Sequence, residues 1–234
     1  MATQVWGVFI LPVLWGHWDL FLVGLVLLLA GIRRGLHKHT FFTDSSRGDM
    51  DIKDFNIQEI GCGDAGQWGA PLTKLARRLW SETFTGLSYY TPEIVKGYTD
   101  VAFTEAILEG EISDEKNQFF IVEGDGVLVG YAKMEIRKPV EIIQSKKPIY
   151  LSRLYLDRQC HGTGLAKRVL DRLNDKAGAL GFLSLWLSVY ELNVPAVKFY
   201  KKHGFQKVGE WDYPFTSHGK QYVDIDWLMV RPII

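Results

Sequence analysis

Two glycines, Gly162 and Gly164, have the spacing in this chain that most directly suggests chemistry. They follow the apolar run 149–156 and precede a segment with helical periodicity, so we expect them in a loop between a strand and a helix. Glycine lets backbone N–H groups approach a ligand closely, and the N-terminus of a helix attracts an anion. The loop is therefore suited to a phosphate group, although it lacks the Lys-Ser end of a P-loop and the third glycine of a dinucleotide motif. A tight turn that needs glycine for its geometry alone is the alternative.

The chain has 234 residues, of which 47% are hydrophobic and 23% are charged. This composition excludes an intrinsically disordered chain and supplies enough apolar material for one full core. The 27 basic residues are balanced by 27 acidic ones, which argues against a protein that coats nucleic acid. The two cysteines, Cys62 and Cys160, have neither disulfide nor ligand spacing, so we expect a reducing compartment and no metal site.

Residues 5–32 are almost entirely apolar, and the basic pair Arg33-Arg34 follows them directly. The stretch exceeds the roughly 20 apolar residues that a transmembrane helix needs, but His17 and Asp19 interrupt it near its middle. A cleaved signal peptide would carry its basic residues before the apolar stretch rather than after it. Two interpretations remain: a membrane anchor that holds the following domain in the cytoplasm, or a translated stretch upstream of the true start.

Met50 is where such a true start would lie, because the polar stretch 43–49 ends there and a complete domain follows. We therefore divide the chain into an apolar N-terminal segment with a polar linker, residues 1–49, and one folded domain, residues 50–234. The expected location is the cytoplasm, with single-pass membrane attachment through residues 5–32 as the alternative. The sequence leaves the oligomeric state open, a homodimer included.

After Met50 the chain alternates between strand and helix signals. An Asp-Gly pair at Asp125 between two apolar runs predicts a hairpin, Pro71 suits the first turn of a helix, and Asn193 suits an N-cap. The elements predict an α/β (α+β) mixed sheet, antiparallel at its start and end, with one helical crossover in the middle. In chain order they are an edge strand at 51–60, a helix starting at 71, a helix at about 100–109, a hairpin at 119–134, a strand at 149–156, a helix at 165–180, a strand at 182–189, a helix at 194–203, and strands at 205–213 and 221–230.

Two blocks of the chain resemble a known family. The pattern Gln159-x-x-Gly162-x-Gly164 is similar to the acetyl-CoA loop of the GNAT N-acetyltransferases, and residues 193–205 are similar to their Asn-x-x-Ala-x-x-Phe-Tyr-x-x-x-Gly-Phe segment. Both blocks occur in the expected order, and the resemblance covers residues 50–234. Within the superfamily the chain most resembles the PaiA-type group, which the resemblance links to polyamine acetylation. The segments that carry this finer resemblance are 80–84 (Trp-Ser-Glu-Thr-Phe), 117–120 (Asn-Gln-Phe-Phe) and 153–156 (Arg-Leu-Tyr-Leu).

The resemblance implies a GNAT fold, in which a mostly antiparallel twisted sheet flanked by helices has two middle strands that splay apart. In the family, acetyl-CoA lies between those strands as co-substrate. Tyr200 matches the family's general acid, since a phenol can protonate a departing thiolate; a core tyrosine on an amphipathic helix is the structural alternative. The residues implied to bind acetyl-CoA are Leu154, Tyr155, Leu156, Gln159, His161, Gly162, Thr163, Gly164, Leu165, Ala166, Lys167, Asn193 and Phe199.

The sequence leaves the general base open. PaiA-type relatives often carry a glutamate on the strand before the arginine, whereas this chain has Ser152 there. A water chain is one alternative for taking the proton of the amine, and Glu135, Tyr150 or Asp226 is the other.

The acceptor amine is expected to meet acidic and aromatic residues of the first two helices and the last hairpin. Carboxylates beside aromatic faces suit a cationic amine, although a single acidic residue on a helix is more often solvated. Three hypotheses follow: acetylation of a small amine, preferably a polyamine; acetylation of peptide or protein amines; and a non-catalytic regulator that binds acetyl-CoA. The candidate acceptor residues are Glu82, Tyr89, Tyr90, Glu93, Glu105, Glu109, Trp211, Asp212, Tyr213, Asp224 and Asp226.

Overall fold

A computed structural model of the chain describes residues 55–137, 139–217 and 219–233. Short 3-10 turns lie at Cys62–Asp64 and Arg158–Cys160. The helices and strands are, in chain order, β1 (Phe55–Ile60), α1 (Ala65–Phe84), α2 (Pro92–Ala102), α3 (Glu105–Ser113), β2 (Asn117–Gly124), β3 (Val127–Glu135), β4 (Pro148–Leu156), α4 (Leu165–Ala179), β5 (Ser184–Tyr190), α5 (Val194–Lys202), β6 (Gln206–Ser217) and β7 (Lys220–Pro232).

The strands form one seven-stranded sheet in the order β1-β2-β3-β4-β5-β7-β6. Neighbouring strands are antiparallel except β4 and β5, which are parallel and joined by the crossover helix α4. The described pairing of β4 with β5 joins residues 148–150 to residues 184–186, although β4 continues to Leu156 and β5 to Tyr190. The two strands therefore diverge after Tyr150, and both the predicted mixed sheet and its splayed middle strands are confirmed.

Helices cover both faces of this sheet. Successive side chains of a strand point to opposite faces, so Leu187 of β5 packs among residues of α4 and α5, whereas Tyr190 packs on the side of α1 and α2. The apolar stripe of α4 explains its position, because Val169 and Leu173 are fully buried against the sheet. Each such side chain stabilises the fold by about 1.5–3 kcal/mol through burial. We call the two sides the α4 face and the α1 face.

The first helix begins earlier than the sequence predicts. It starts at Ala65 rather than at Pro71, so the proline lies inside α1. Proline removes one backbone hydrogen bond there, but the buried side chains of Ala65 and Trp68 extend the apolar stripe of the helix by two turns. The N–H of Gly61 also donates to the Asp64 carboxylate (2.8 Å), which fixes the turn before the helix.

The single helix predicted at 100–109 is wrong, because two helices meet in that interval. α2 is capped by Thr91, whose hydroxyl accepts from the N–H of Ile94, and α3 is capped by Thr104, whose hydroxyl accepts from the N–H of Ile107. Threonine is a preferred N-cap residue, and the cap at Thr104 requires the preceding helix to end.

The remaining elements differ from the prediction chiefly at their ends. The predicted hairpin, the strand after it and the helices that follow Gly164 and Asn193 are confirmed. β5 begins at Ser184 rather than at 182, and Leu183, inside the predicted strand, is 51% exposed. The two closing strands are longer than expected, and the predicted residues 51–54 of the edge strand lie outside the described part of the chain.

In the part of the chain that the structure describes, no helix combines the length and apolarity needed to cross a membrane. The apolar stretch 5–32, on which the anchor interpretation depends, lies outside these residues.

Candidate active site

The opening between β4 and β5 is the central feature of the site. Beyond Tyr150, β4 pairs with β3 on one side, while its other edge faces the gap left by the diverging β5. The half-buried residues Leu154, Tyr155 and Leu156 lie on this part of β4. An unpaired strand edge presents backbone N–H and C=O groups, so an extended polar chain can pair with it.

A β-bulge shapes the same strand. Lys133 of β3 is opposite Arg153 and Met134 is opposite Leu151, so Ser152 is the extra residue of β4. A bulge leaves its extra residue outside the regular ladder and bends the strand. The Ser152 hydroxyl donates to the carbonyl of Lys133 (3.3 Å), which gives it a role in the bulge rather than one facing a reacting amine.

The glycine loop lies between the end of β4 and the start of α4. Gly162 and Gly164 have φ angles of 81° and 87°, which are left-handed conformations that favour glycine, and Gly164 is the N-cap residue of α4. The Thr163 hydroxyl donates to the carbonyl of Cys160 (2.8 Å) and accepts from the N–H of Leu165 (3.3 Å). The loop is thus fixed by its own hydrogen bonds, and its N–H groups lead into the N-terminus of a helix, where an anion is stabilised.

The other predicted loop residues border this turn. His161 and Lys167 are exposed, Ala166 is half-buried, and the exposed Gln159 donates its N–H to the Asp157 carboxylate (3.3 Å). Two contacts from α1, which sequence reasoning missed, hold the loop from outside. Arg78 donates to Asp157 (2.8 Å), and Arg158 donates to the carbonyl of Glu82 (3.1 Å). No local pattern signals these contacts, because the partners lie 79 and 76 residues apart.

Tyr200 lies on α5, whose N-terminus is capped by Asn193 through a hydrogen bond from the N–H of Ala196 (3.3 Å). The ring of Tyr200 packs between Phe199 and Phe205 on the α4 face. Burial raises the pKa of the Tyr200 phenol, and the neighbouring Tyr150 raises it further. The phenol therefore stays protonated at neutral pH, which is the state that a proton donor requires.

The structure separates the three candidate bases. Burial opposes the ionisation of Glu135, but Lys133 at 3.0 Å outweighs it and lowers the pKa of this carboxyl. Burial raises the pKa of Tyr150 and keeps it neutral. Burial also raises the pKa of Asp226, to about 6, against the effect of a hydrogen bond from Ser188.

A buried ion cluster, also missed by sequence reasoning, supports the bulged part of β4. Arg153 donates to both carboxylate oxygens of Glu111 on α3, at 2.5 and 2.9 Å, and Lys133 lies 3.1 Å from the same carboxylate. The Lys133 side chain is only 5% exposed, so its positive charge is neutralised by the Glu111 carboxylate inside the fold. It fixes α3 to β3 and β4 next to the opening.

An aromatic cluster surrounds Asp224 on the α1 face. The hydroxyl groups of Tyr89 and Tyr90 both donate to the Asp224 carboxylate. Their rings stack on each other with centroids 5.1 Å apart, and Phe215 and Tyr222 of the last hairpin stack against them. Burial raises the pKa of Asp224, while the two phenols favour its charged form.

The predicted early glutamates do not join this cluster. Glu93 and Glu105 are exposed in the first turns of α2 and α3, Glu82 pairs with Arg78 (3.0 Å), and Glu109 lies against Gly69 of α1. From the last hairpin, Trp211 is opposite Asp226 and Tyr213 is opposite Asp224, so these residues share the α1 face. Asp212 is exposed and belongs to the opposite face of β6, because successive residues of a strand alternate.

Comparisons with known proteins agree with this geometry. A spermine/spermidine N(1)-acetyltransferase of Bacillus subtilis is 30% identical over 90 residues, or 38% of this chain and 59% of that protein. An uncharacterised N-acetyltransferase of Mycobacterium tuberculosis is 29% identical over 143 residues, or 61% of this chain and 85% of the relative. The PaiA N-acetyltransferase of Thermoplasma acidophilum, solved in complex with coenzyme A, has a similar fold, with a TM-score of 0.58 at 22% identity over 76% of this chain and 98% of that one.

The model of one family matches more than half of the chain. The match covers residues 75–205, which include the second half of α1, the bulged strand β4, the glycine loop and Tyr200. The family is described as the acetyltransferase (GNAT) family. On the strength of this match, and with a splayed sheet of the kind the family has, the chain belongs to the acetyltransferase (GNAT) family.

Proposed function

We propose that this enzyme transfers the acetyl group of acetyl-CoA to a primary amine of a small cationic acceptor, a polyamine, by direct attack in a ternary complex. The observation that carries the proposal is the opening between β4 and β5: the glycine loop follows the end of β4, and Asp226 is opposite Tyr190 at the end of β5. A co-substrate bound from the α4 face and an acceptor bound from the α1 face would meet in this opening.

The proposed acetyl-CoA site uses the edge of β4 and the loop after it. The backbone of Leu154, Tyr155 and Leu156 would pair with the pantetheine arm, which is an extended chain with amide groups. The pyrophosphate would lie at the backbone amides of the loop, where glycine conformation and the helix N-terminus favour an anion. The residues assigned to the loop contact are Gln159, His161, Gly162, Thr163, Gly164, Leu165, Ala166 and Lys167, with Asn193 and Phe199 bordering the arm from α5.

In the reaction, the lone pair of the neutral amine attacks the carbonyl carbon of the thioester. A C–N bond forms, the C–S bond breaks, and the thiolate of coenzyme A leaves. Tyr200 donates its phenolic proton to that thiolate, and the proton that the acylated nitrogen sheds restores the phenol. The pKa of Tyr200, raised by burial, keeps its proton available for this step.

A cationic acceptor is favoured over a peptide amine by the α1 face. Asp224 and Asp226 are two positions apart on β7 and share that face, with their Cα atoms about 7 Å apart. Stacked rings of Tyr89, Tyr90 and Phe215 lie beside Asp224, and aromatic faces attract ammonium groups. The similarity to a spermine/spermidine N(1)-acetyltransferase points in the same direction.

The test is thiol release from acetyl-CoA by the full-length chain, offered polyamines, simple monoamines and peptides with a free N-terminus or a lysine. Release with polyamines at the highest kcat/KM supports the proposal, and preference for the peptides contradicts it. Acetyl-CoA binding without release with any amine would instead support a regulator. Tyr200→Phe should lower turnover sharply and leave acetyl-CoA binding intact, whereas Tyr131→Phe, which removes a buried hydroxyl that has no hydrogen-bond partner in the described structure, should retain turnover.

We also assign the catalytic domain to residues 50–234 and the enzyme to the cytoplasm. The family match at 75–205 lies wholly within that domain. Fractionation of cells that make the full-length chain tests the alternative of attachment through residues 5–32: recovery in the membrane fraction, lost when residues 1–49 are deleted, would support an anchor.

A further inference from the structure

A line of three side chains crosses the opening on the α1 face. Tyr150 of β4 and Ser188 of β5 have their hydroxyl oxygens 3.3 Å apart, and Ser188 donates a hydrogen bond to Asp226 of β7. In the contact between Tyr150 and Ser188 either hydroxyl can be the donor, because each carries one proton and accepting lone pairs. Ser188 therefore connects Tyr150 of β4 to the Asp226 carboxylate of β7.

Asp226 is the end of this line and has no ion pair with any lysine, arginine or histidine that the structure describes. Asp226 is half-buried. Glu135, by contrast, forms ion pairs with Lys133 and with Arg137, which is 3.7 Å away. Burial disfavours the charged form of a carboxyl group, so a half-buried carboxyl group without a neighbouring cation has a higher pKa than an exposed one. Burial raises the pKa of Asp226 to about 6. A carboxyl group with this pKa is charged at neutral pH and can accept a proton.

The neighbours of Asp226 come from four strands. On its own strand, the only charged group that acts on it is Asp224, which disfavours its ionisation. The groups that face it from the other strands are neutral phenols or uncharged side chains. They are Tyr150 of β4, Ser188 and Tyr190 of β5, and Trp211 and Tyr213 of β6.

We infer that Asp226 is the general base of the reaction and that Ser188, held by Tyr150, positions it at the opening. The inference rests on the proposed function. In this step the Asp226 carboxylate takes one proton from the ammonium group of the acceptor, which leaves a neutral amine and a neutral carboxyl. The amine then attacks the thioester as described, and the carboxyl releases its proton to solvent, so the overall reaction liberates one proton.

The position of Asp226 fits this role on geometric grounds. It is opposite Tyr190, the last residue of β5, at the end of the strand where β4 and β5 have diverged. Tyr150, at the other end of the line, interacts electrostatically with Tyr200, the proposed acid. The acid and the base are thus placed on opposite faces of the sheet, which matches an acetyl-CoA thiol arriving from one face and an amine arriving from the other.

The test is the pH dependence of kcat/KM for the full-length chain and its Asp226→Asn variant with spermidine. The wild type should rise through a pKa near 6 and then stay flat up to the pKa of the amine, because the base accepts the proton of the ammonium form. Asp226→Asn should be slower at pH 7.5 by on the order of 10²–10⁴-fold. Its kcat/KM should rise tenfold per pH unit toward the pKa of the amine, since only the neutral amine can then react.

Asp212→Asn is the matched control, because Asp212 is exposed on the opposite face of the neighbouring strand and should give the wild-type profile. A flat profile above pH 6 in Asp226→Asn, with only KM raised, would show that Asp226 binds the cation and would overturn the inference. If Asp226→Asn does not fold, Ser188→Ala decides: loss of its hydrogen bond should raise the pKa of Asp226 and move the acidic limb to higher pH, and an unmoved limb overturns the inference.

The same measurements separate this inference from the proposed function. If Asp226→Asn transfers acetyl groups as fast as the wild type at every pH, Asp226 is not the general base, but the proposed acetyltransferase function still stands. Absence of transfer by the wild type with every amine would overturn both.

Discussion

Tyr150 and Ser188 hold their hydroxyl oxygens 3.3 Å apart at the place where the parallel strands β4 and β5 cease to pair. The last backbone pair of β4 and β5 joins Tyr150 to Trp186, two residues before Ser188. The contact therefore marks the start of the opening on the α1 face and connects the bulged strand to the pair of strands that carries Asp226. Four further predictions concern the residues that shape this region.

Gly130 permits the close approach of β3 to the end of β4, where acetyl-CoA is proposed to bind. A Cβ at this position would collide with the Leu156 side chain and lie 2.7 Å from the carbonyl oxygen of Tyr155. Gly130→Ala should therefore destabilise the fold by about 1–3 kcal/mol and weaken acetyl-CoA binding, because backbone has to move. Urea unfolding and calorimetric titration measure the two effects. Gly66→Ala, where a Cβ within α1 meets nothing within 4 Å, is the control and should neither destabilise the fold nor weaken acetyl-CoA binding.

Gly162 is predicted to serve both backbone geometry and phosphate binding. Its φ of 81° disfavours alanine, and Gly126 in the distant β2–β3 turn has a similar φ of 73°. At both positions a Cβ would meet no atom within 4 Å. Gly162→Ala and Gly126→Ala should each reduce stability by about 1–2 kcal/mol. Only Gly162→Ala should also weaken acetyl-CoA binding, by about fivefold or more. Equal affinities in the two variants would show that Gly162 is needed for the turn alone.

Glu111 neutralises two buried cations, Arg153 and Lys133. Glu111→Gln should lower the free energy of unfolding by about 3 kcal/mol, because it leaves the buried Arg153 without its counter-charge, whereas Lys133 keeps Glu135. The comparison is Glu210→Gln, which breaks a solvent-exposed pair with Lys207 and should change stability by less than about 1 kcal/mol. Similar losses in both variants would mean that the buried cluster contributes no more than a surface pair.

Asp226 is predicted to reduce stability while serving catalysis. Its folded-state pKa of about 6 exceeds the ordinary 3.8, so the native state binds the proton more tightly than the unfolded chain does. The penalty for ionising it grows as the pH rises from about 4 to 6 and is complete above pH 6. Asp226→Asn should therefore stabilise the protein by about 3 kcal/mol at pH 8 and by much less at pH 4.

Thermal or urea unfolding at the two pH values checks this, with Asp212→Asn as the exposed control. A gain of the same size at pH 4 and pH 8 would exclude ionisation as its cause.

The local pattern was sufficient where a short stretch of chain determines its own conformation. The hairpin at Asp125 and Gly126, the helix after Gly164 and the N-cap at Asn193 follow from turn and capping preferences that involve neighbouring residues. The local pattern is insufficient at Pro71, where burial of Trp68 outweighs the preference of proline for the first turn of a helix. It is also insufficient between α2 and α3, where the Thr104 cap begins a new helix.

The sequence by itself determined the order of the elements, the glycine loop and the resemblance to an acetyltransferase, because these depend on residue types at fixed short spacing. It did not determine which carboxylate faces the opening. Asp224 meets Tyr89 across 135 residues, and Ser188 meets Tyr150 across 38, so their contacts depend on strand register and on where β4 leaves β5. Among the described residues Asp226 has no ion pair with a cation, whereas Glu135 pairs with Lys133, and this difference is a property of the packed sheet.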